Sequence, residues 1–408
     1  MSPEPWKRNF YVMFIVEFIV ILGFSFVIPF LPLYIQQLGN FDNEQAAFWS
    51  GIAGSVAGFA MFVSAPFWGI MADRWGRKPM VLRSMFGGGI TIALMGFIPN
   101  LWAVIILRFF QGLLSGTVAA ASALVASSTP RDKMPYVMGL LMVAVQGGNS
   151  FGPLLGGVLA DKLGFVNTFL LTGGIVSLGG LIVLFFVKEN FTPPPKEEIA
   201  TPGKMWQLVK SKELLPVLAI TFAMSAGPSI ISPILTLYIS ERSPAGSAES
   251  ISGTAYFLLG VITTLSSLAA SRLGGRFDLK TILIFSCIST GLLFLPPILA
   301  VNATQVMILI ALTGLLRGGM ITTPSALVGL VTPIAMQGIA YGVNQSVSSL
   351  GGAIGPFIGG ALATAIGFKG VFVVTAVAYV LTGLLVIILL RHVNIGKTTS
   401  VKNNSSIR

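Results

Sequence analysis

Twelve stretches of this chain stay apolar for longer than a globular core helix requires, and that feature limits the fold more than any other. About 20 mostly apolar residues cross a bilayer as one helix. Runs of that kind lie near 10–36, 46–71, 79–99, 101–127, 135–160 and 165–187, then near 213–239, 250–271, 280–300, 304–328, 338–364 and 368–390. Several exceed the minimum, which allows tilting or kinking. Only 10% of the 408 residues are charged, against about 25% in a soluble domain. That deficit excludes a soluble enzyme, a nucleic-acid-binding module and a disordered chain. Cys287 is the only cysteine and His392 the only histidine, so disulfide frameworks, metal clusters and histidine-based catalysis are not expected within one chain. The first run follows Trp6-Lys7-Arg8 in the manner of a signal peptide. It is too long for one and lacks a small-residue cleavage site, so it reads as a retained helix.

The net charge of +11 gains meaning once it is placed on the spans. With both termini inside, the inner segments, counted into the first turns of adjoining spans, hold 20 of the 25 Lys and Arg residues, and the outer loops hold Lys162, Arg242 and Lys369. The bias is the positive-inside rule, so the basic excess reads as topology and attraction to lipid headgroups, with no nucleic-acid partner expected. Arg108 and Arg317 fall inside spans. The proline- and charge-rich segment 188–212 reads as a linker between two six-helix halves, 1–187 and 213–391, with 204–212 a candidate surface helix and 392–408 a polar tail.

The halves repeat one another. Ser122-Ala123-Leu124-Val125 returns as Ser325-Ala326-Leu327-Val328 at an offset of 203, and Gly139, Gly148, Gly152, Pro153, Gly156 and Gly157 return as Gly342, Gly351, Gly355, Pro356, Gly359 and Gly360. Leu33-Tyr34-Ile35 is echoed by Leu237-Tyr238-Ile239. Two parallel six-helix halves are a transporter architecture, with the site near the midplane between them. The fold expected is therefore an all-α membrane bundle of twelve helices in two halves.

Four groups of residues carry candidate chemistry. Between spans two and three stands Gly69-Ile70-Met71-Ala72-Asp73-Arg74-Trp75-Gly76-Arg77-Lys78. Here Gly69 permits close helix approach, Gly76 a tight turn, and Asp73 is a carboxylate among cations that suits a latch on the inner face. The second-half counterpart, Arg272 to Asp278, has no acid at Gly275, so any latch should be asymmetric. Span four holds Arg108, Gln111 and Gly112; an arginine in hydrocarbon costs about 2.5–3.5 kcal/mol on insertion scales, so it should face the bundle interior or snorkel outward. Span five carries Gly139, Gly148, Gly152, Pro153, Gly156 and Gly157, whose four-residue spacing lets helices pack backbone to backbone. Glu17 is the one acid well inside a span. Burial would raise its proton affinity and a nearby Arg108 would lower it, unless Arg8 or water satisfies it at the inner headgroups.

On these motifs the chain resembles the major facilitator superfamily, and in the complete span-five spacing and the Phe26 to Tyr34 segment its twelve-helix drug:proton antiporter branch. The resemblance implies a proton-coupled exporter of lipophilic or amphipathic molecules in a bacterial cytoplasmic membrane, working as a single copy with protons as the coupling ion and no cofactor. It also associates Arg108 with proton transfer and the Asp73 loop with inner closure.

Phe24, Phe59, Phe62, Gln146, Asn149, Tyr256, Met320, Asn344, Gln345 and Ser348 are candidate cavity residues, being polar or adaptable apolar groups on these spans. Arg317 either attracts an anionic cargo group or caps helix carbonyls. A dedicated exporter of an endogenous metabolite such as a siderophore, and a proton-coupled importer, are the rival functions within the same fold. A membrane enzyme finds no nucleophile–base set, phosphate loop or metal cluster to support it, and a sensor would need a further soluble domain.

Overall fold

Hydrocarbon offers the backbone no partner, so a spanning segment satisfies its own N–H and C=O groups as a helix. The computed structural model is accordingly built of helices, with no strand among the described residues. It describes residues 5–391 apart from 99, 131–132, 190, 192–208, 274–276 and 333–336. The proline run of the linker, most of the candidate surface helix at 204–212 and the tail from His392 lie outside the described residues.

Among the described residues, ten helical stretches are long and apolar enough to cross a membrane. Two of them, Tyr136–Phe186 and Ala340–Leu389, run to 51 and 50 residues, roughly 75 Å at 1.5 Å per residue against about 30 Å of hydrocarbon. Each turns back once, at Gly164 (φ 76°, ψ 167°) and Gly367 (φ 70°, ψ 170°). The packing shows the reversal. Along span five, Gly148, Gly152 and Gly156 meet span one at Phe18–Leu22, Leu22–Ser25 and Phe26, so the two run parallel. Span six meets span one in the opposite sense, with Val176 at Gly23, Gly179 at Val20 and Lys188 at Asn9. Ten stretches therefore make twelve crossings, and the chain is a multi-pass membrane protein.

Prolines and glycines divide three other spans. Span one runs Pro5–Val27, then a 3₁₀ turn Ile28–Phe30, then Leu31–Gly39, because Pro29 and Pro32 have no N–H to continue an α-helix. Span seven is Leu214–Ile230 and Ser232–Ser240, and span four is Leu101–Leu114 and Thr117–Ser128. Asp42, Asn100 and Asn302 cap the helices that follow them by accepting backbone N–H bonds from Gln45, Trp102 and Gln305.

The duplication read from sequence is a duplication of contacts. Tyr34 donates to the Met95 carbonyl at 2.7 Å and packs on Phe165 and Phe169; Tyr238 donates to the Pro297 carbonyl at 2.9 Å and packs on Phe368 and Phe372. The glycines of span eleven meet span seven as those of span five meet span one. Gly148 faces Phe18, Ile21 and Leu22 while Gly351 faces Phe222, Ser225 and Ala226, a constant shift of 204 on spans one and seven.

The two reversals offer a direct test. At φ near +70° with ψ near 170° only glycine is comfortable, yet no atom lies within 4 Å of where a Cβ would stand at Gly164 or Gly367. Gly164→Ala and Gly367→Ala should each destabilise the protein by about 1–3 kcal/mol through backbone strain alone, seen as a lower Tm in detergent or lipid. An unchanged Tm would show that the turns relax freely.

Candidate transport site

Among the described residues, the hydrogen bonds between the halves lie on one side. Call the side bearing the termini the termini side. On the opposite, far side Asn43 Nδ2 donates to Glu241 Oε1 at 2.9 Å, Thr236 Oγ1 to the Pro29 carbonyl at 2.6 Å, and Ser250 Oγ to the Asp161 carboxylate. Backbones also touch there. Gly157 lies against the Glu249 carbonyl, Gly253 against that of Pro153, and Gly51 against that of Pro356, while a Cβ at Gly360 would stand 2.7 Å from the Ala47 carbonyl oxygen. The seam continues to mid-span, where a Cβ at Gly58 would stand 2.8 Å from Ala353 Cβ. Gly69, Gly139 and Gly342, on the termini side of spans two, five and eleven, have nothing within 4 Å of that position. Asn149 and Gln345 are exposed part-way along their spans.

Glu17 is fully buried in the first half, and neither carboxyl oxygen has a hydrogen-bond partner. The packing at this level is apolar: Met13, Val16 and Val20 of span one cluster with Val81 and Met85, Ala121 and Leu124, Leu141, and Val176. Arg108 is buried as well, but its Nη1 donates to Gln111 Oε1 at 2.5 Å and its Nε to the Ala53 carbonyl at 3.4 Å. Arg108 and Gln111 line a cavity of about 10 Å³ with Val27, Ile28, Leu31, Ile92 and Met95, room for a single water. Gly112 packs on the Ala57 carbonyl. The structure thus does not bring Glu17 and Arg108 together: one acid is left without a partner and one arginine is satisfied within its own and the neighbouring span.

The loop after span two is organised by a residue that sequence placed only in the linker. Glu189 accepts from the backbone N–H of Arg77 at 2.8 Å and of Lys78 at 2.8 Å, a carboxylate seated on a helix N-terminus. Gly76, at φ 96°, keeps that seat open, since a Cβ there would crowd Glu189 Oε2 at 2.8 Å. Lys78 Nζ donates to the Leu184 and Val187 carbonyls, closing the end of span six. Arg74 is exposed, and the Asp73 side chain lies outside the described residues. Arg83, counted in sequence as an inner-face charge, stacks on the Trp68 ring at 3.9 Å and donates to the Ser115 carbonyl at 3.0 Å. Neither Glu189 nor Arg83 belongs to a local pattern, so each is found only once spans two, three, four and six are assembled.

The cavity candidates divide. Phe59 and Asn149 are exposed, with Phe62 and Gln146 half-buried beside them in sequence; Asn149 Oδ1 accepts from Ser25 Oγ at 3.1 Å. On span eleven Gln345 is exposed, Asn344 Oδ1 accepts from Thr221 at 2.8 Å, and Ser348 bonds Ser225 at 2.8 Å. Tyr256 is half-buried. Phe24 and Met320 face elsewhere: the Phe24 ring fills the space over Gly88 of span three, and Met320 belongs to the main apolar core. Arg317 lies within electrostatic reach of the Tyr379 hydroxyl, on a helix of its own half.

A duplicated bundle of twelve spans, closed on one side and carrying a partnerless carboxyl in its interior, defines a membrane transporter, not an enzyme. The Major Facilitator Superfamily model matches residues 13–261 and 217–406, and the chain belongs to that family. It is 35% identical over 379 residues to multidrug resistance protein MdtG of Proteus mirabilis, covering 91% of this chain and 93% of that one. To the MdtG of Escherichia coli O17:K52:H18 it is 36% identical over 379 residues, covering 92% of each. In fold it matches a bacterial homolog of the human lysosomal transporter Spinster, in an inward-facing and unoccupied conformation, with a TM-score of 0.77, 11% identity, and coverage of 96% of this chain and 98% of that one. It also matches the human organic anion transporter MFSD10 with a TM-score of 0.69, 18% identity, and coverage of 95% and 100%.

The far-side seam predicts the effect of single methyl groups. Gly253→Ala or Gly51→Ala would drive a Cβ into a carbonyl oxygen of the other half, which backbone cannot yield cheaply. Both should disfavour the far-side-closed conformation, raising labelling of a cysteine placed at Leu154 by an impermeant reagent. Gly139→Ala and Gly342→Ala, with open space around them, should leave labelling as in the unsubstituted protein.

Proposed function

We propose that this protein is a proton-driven exporter of lipophilic and amphipathic small molecules, a multidrug efflux transporter of the bacterial cytoplasmic membrane. The kinship with MdtG proteins, at 35–36% identity over most of both chains, supports the cargo class. The distribution of Lys and Arg supports a topology with both termini in the cytoplasm, which makes the far side external and the conformation described above inward-facing. One copy of the chain suffices for the cycle, the proton is the coupling ion, and the scheme requires no metal or organic cofactor.

The observation that carries this reading is the Glu17 carboxyl. An ionised carboxylate sealed in apolar surroundings with no donor costs several kcal/mol, so this packing accommodates Glu17 with its proton on. Loosening span one from spans four and five admits water or cargo charge, and the proton can leave. A group that holds a proton in one packing and yields it in another is what antiport requires. Arg108, held by Gln111 and beside a water-sized cavity, supplies a fixed positive charge on the external half of the same bundle. The lining amides Asn149 and Gln345, with the exposed Phe59, offer apolar surface and a few polar groups, as in adaptable binding sites. Arg317 gives no reason to prefer a dedicated exporter of anions.

Inverted membrane vesicles with an acidified lumen test the reading. Several unrelated lipophilic compounds should each provoke proton release and accumulate inside, and Glu17→Gln should abolish the proton release. Export that stays proton-coupled in Glu17→Gln would remove the assignment to this residue, and a response confined to a single compound would remove the multidrug reading.

A further inference from the structure

Equivalent helix pairs in the two halves share a backbone arrangement and differ in chemistry where the proton is held. Span one maps on span seven with a shift of 204, and span five on span eleven with a shift of 203, as the glycine contacts require. On that mapping Glu17 corresponds to Thr221, and Leu141 to Asn344. One turn further along, Ile21 and Val145 correspond to Ser225 and Ser348. In the second half both pairs are hydrogen bonds across the helix seam, Thr221 to Asn344 at 2.8 Å and Ser225 with Ser348 at 2.8 Å. In the first half all three other residues are apolar and buried, and Glu17 alone is polar, with both oxygens unpartnered.

We infer that Leu141 is a positioning residue of the proton site, filling with hydrocarbon the place where the Asn344 amide accepts from Thr221 and so leaving Glu17 without an amide partner, whose NH2 could donate to the carboxylate. Among the described residues none makes a hydrogen bond to Glu17. Span three presents Val81 and Met85 to this cluster, span four Ala121, Leu124 and Val125, span five Val137 and Leu141, and span six Val176 and Val183. The charged side chains on those helices turn elsewhere: Arg83 stacks on Trp68 and gives Nη2 to Ser115, its Nε and Nη1 unpartnered, Arg108 bonds Gln111 and Ala53, and Lys78 the carbonyls ending span six. Lys133 and Tyr136 are exposed where span five begins, as are Lys7, Arg8 and Tyr11 on span one. The inference rests on the reading of Glu17 as the proton carrier.

An amide at position 141 can accept from the protonated acid or donate to the carboxylate. A bond to the charged form is roughly twice as strong as a neutral one, so Leu141→Asn should weaken proton binding at Glu17, by about tenfold. Infrared difference spectra of the full chain in lipid, titrated with pH, read this directly, the Glu17 signal being the carboxylic-acid band that Glu17→Gln loses. In Leu141→Asn the band should vanish at about tenfold higher proton concentration than in the unsubstituted protein, and Leu141→Met should leave it in place. The pH profile of cargo-driven proton release in vesicles should move the same way with cargo KM unchanged. Should Leu141→Asn not fold, the second half offers the reciprocal test: Thr221→Glu with Asn344→Leu should add a second such band, and Thr221→Glu alone should bind its proton about tenfold more weakly. Equal midpoints with and without the amide, or no Glu17 band at any pH, would overturn the inference. Because the band reports Glu17 itself, its behaviour decides the role of Leu141 even if Glu17→Gln still exports with proton coupling.

Discussion

Helices in a bilayer gain nothing by leaving lipid for one another as apolar surfaces, so close association has to come from backbone approach and from the few polar bonds that hydrocarbon makes valuable. In this protein glycine provides the approach. Gly148, Gly152 and Gly156 set span five on the backbone of span one, and Gly351, Gly355 and Gly359 do the same for spans eleven and seven. Adjacent members of the same series, Gly157 and Gly360, turn to the opposite half and meet the Glu249 and Ala47 carbonyls. One glycine-rich face thus builds each half, and the next residue round the helix closes the two halves on each other.

That double use explains why the repeat is kept in backbone contacts and released in side-chain chemistry. Any Cβ at the glycines would separate helices, so their positions are fixed by sterics. The residues between them face seams whose width is already set, and they can differ as long as volume and hydrogen bonding are satisfied locally. The second half fills its seam with Thr221, Asn344, Ser225 and Ser348, a closed polar set. At the four equivalent positions the first half has Ile21, Leu141, Val145 and one carboxyl, the Ser25–Asn149 bond lying further along the seam. A fully satisfied network holds two helices in one arrangement, whereas a lone acid stabilises or destabilises the same packing according to whether it carries a proton.

The order of spans, the reversals and the duplication were legible in the sequence because each depends on local quantities: apolar run length, a glycine at a turn, and a register held without gaps. Gly164-Phe165 and Gly367-Phe368 stand at the same offset of 203, and both glycines take a positive φ. Facing was far less legible. A helix bordered by lipid on one side and apolar side chains on the other has no polar stripe to orient it, which is why Phe24 and Met320 read as cavity residues and turn out to pack on span three and in the core. Glu17 and Arg108 were each identifiable as costly residues in hydrocarbon, but whether they meet depends on how spans one and four cross, and sequence does not encode that in any short window. The seat of Glu189 on the Arg77 and Lys78 amides is a tertiary contact between segments 112 residues apart, with no motif of its own.

Span one links Glu17 to the far-side closure in mechanical terms. It carries Glu17 in its first helix, presents the Phe18 and Leu22 backbone to Gly148, and after the 3₁₀ turn offers the Pro29 carbonyl to Thr236 of the opposite half. From Glu17 to Pro29 is 12 residues by their numbering, roughly 18 Å of helix. The Pro29 carbonyl is free to accept from another segment because the turn around it departs from α-helical bonding. A change in charge at Glu17 that alters how span one rests on span five therefore reaches a hydrogen bond between the halves through a single helix and the turn that ends it. The coupling needs no long chain of side chains, only a helix whose two ends serve different contacts.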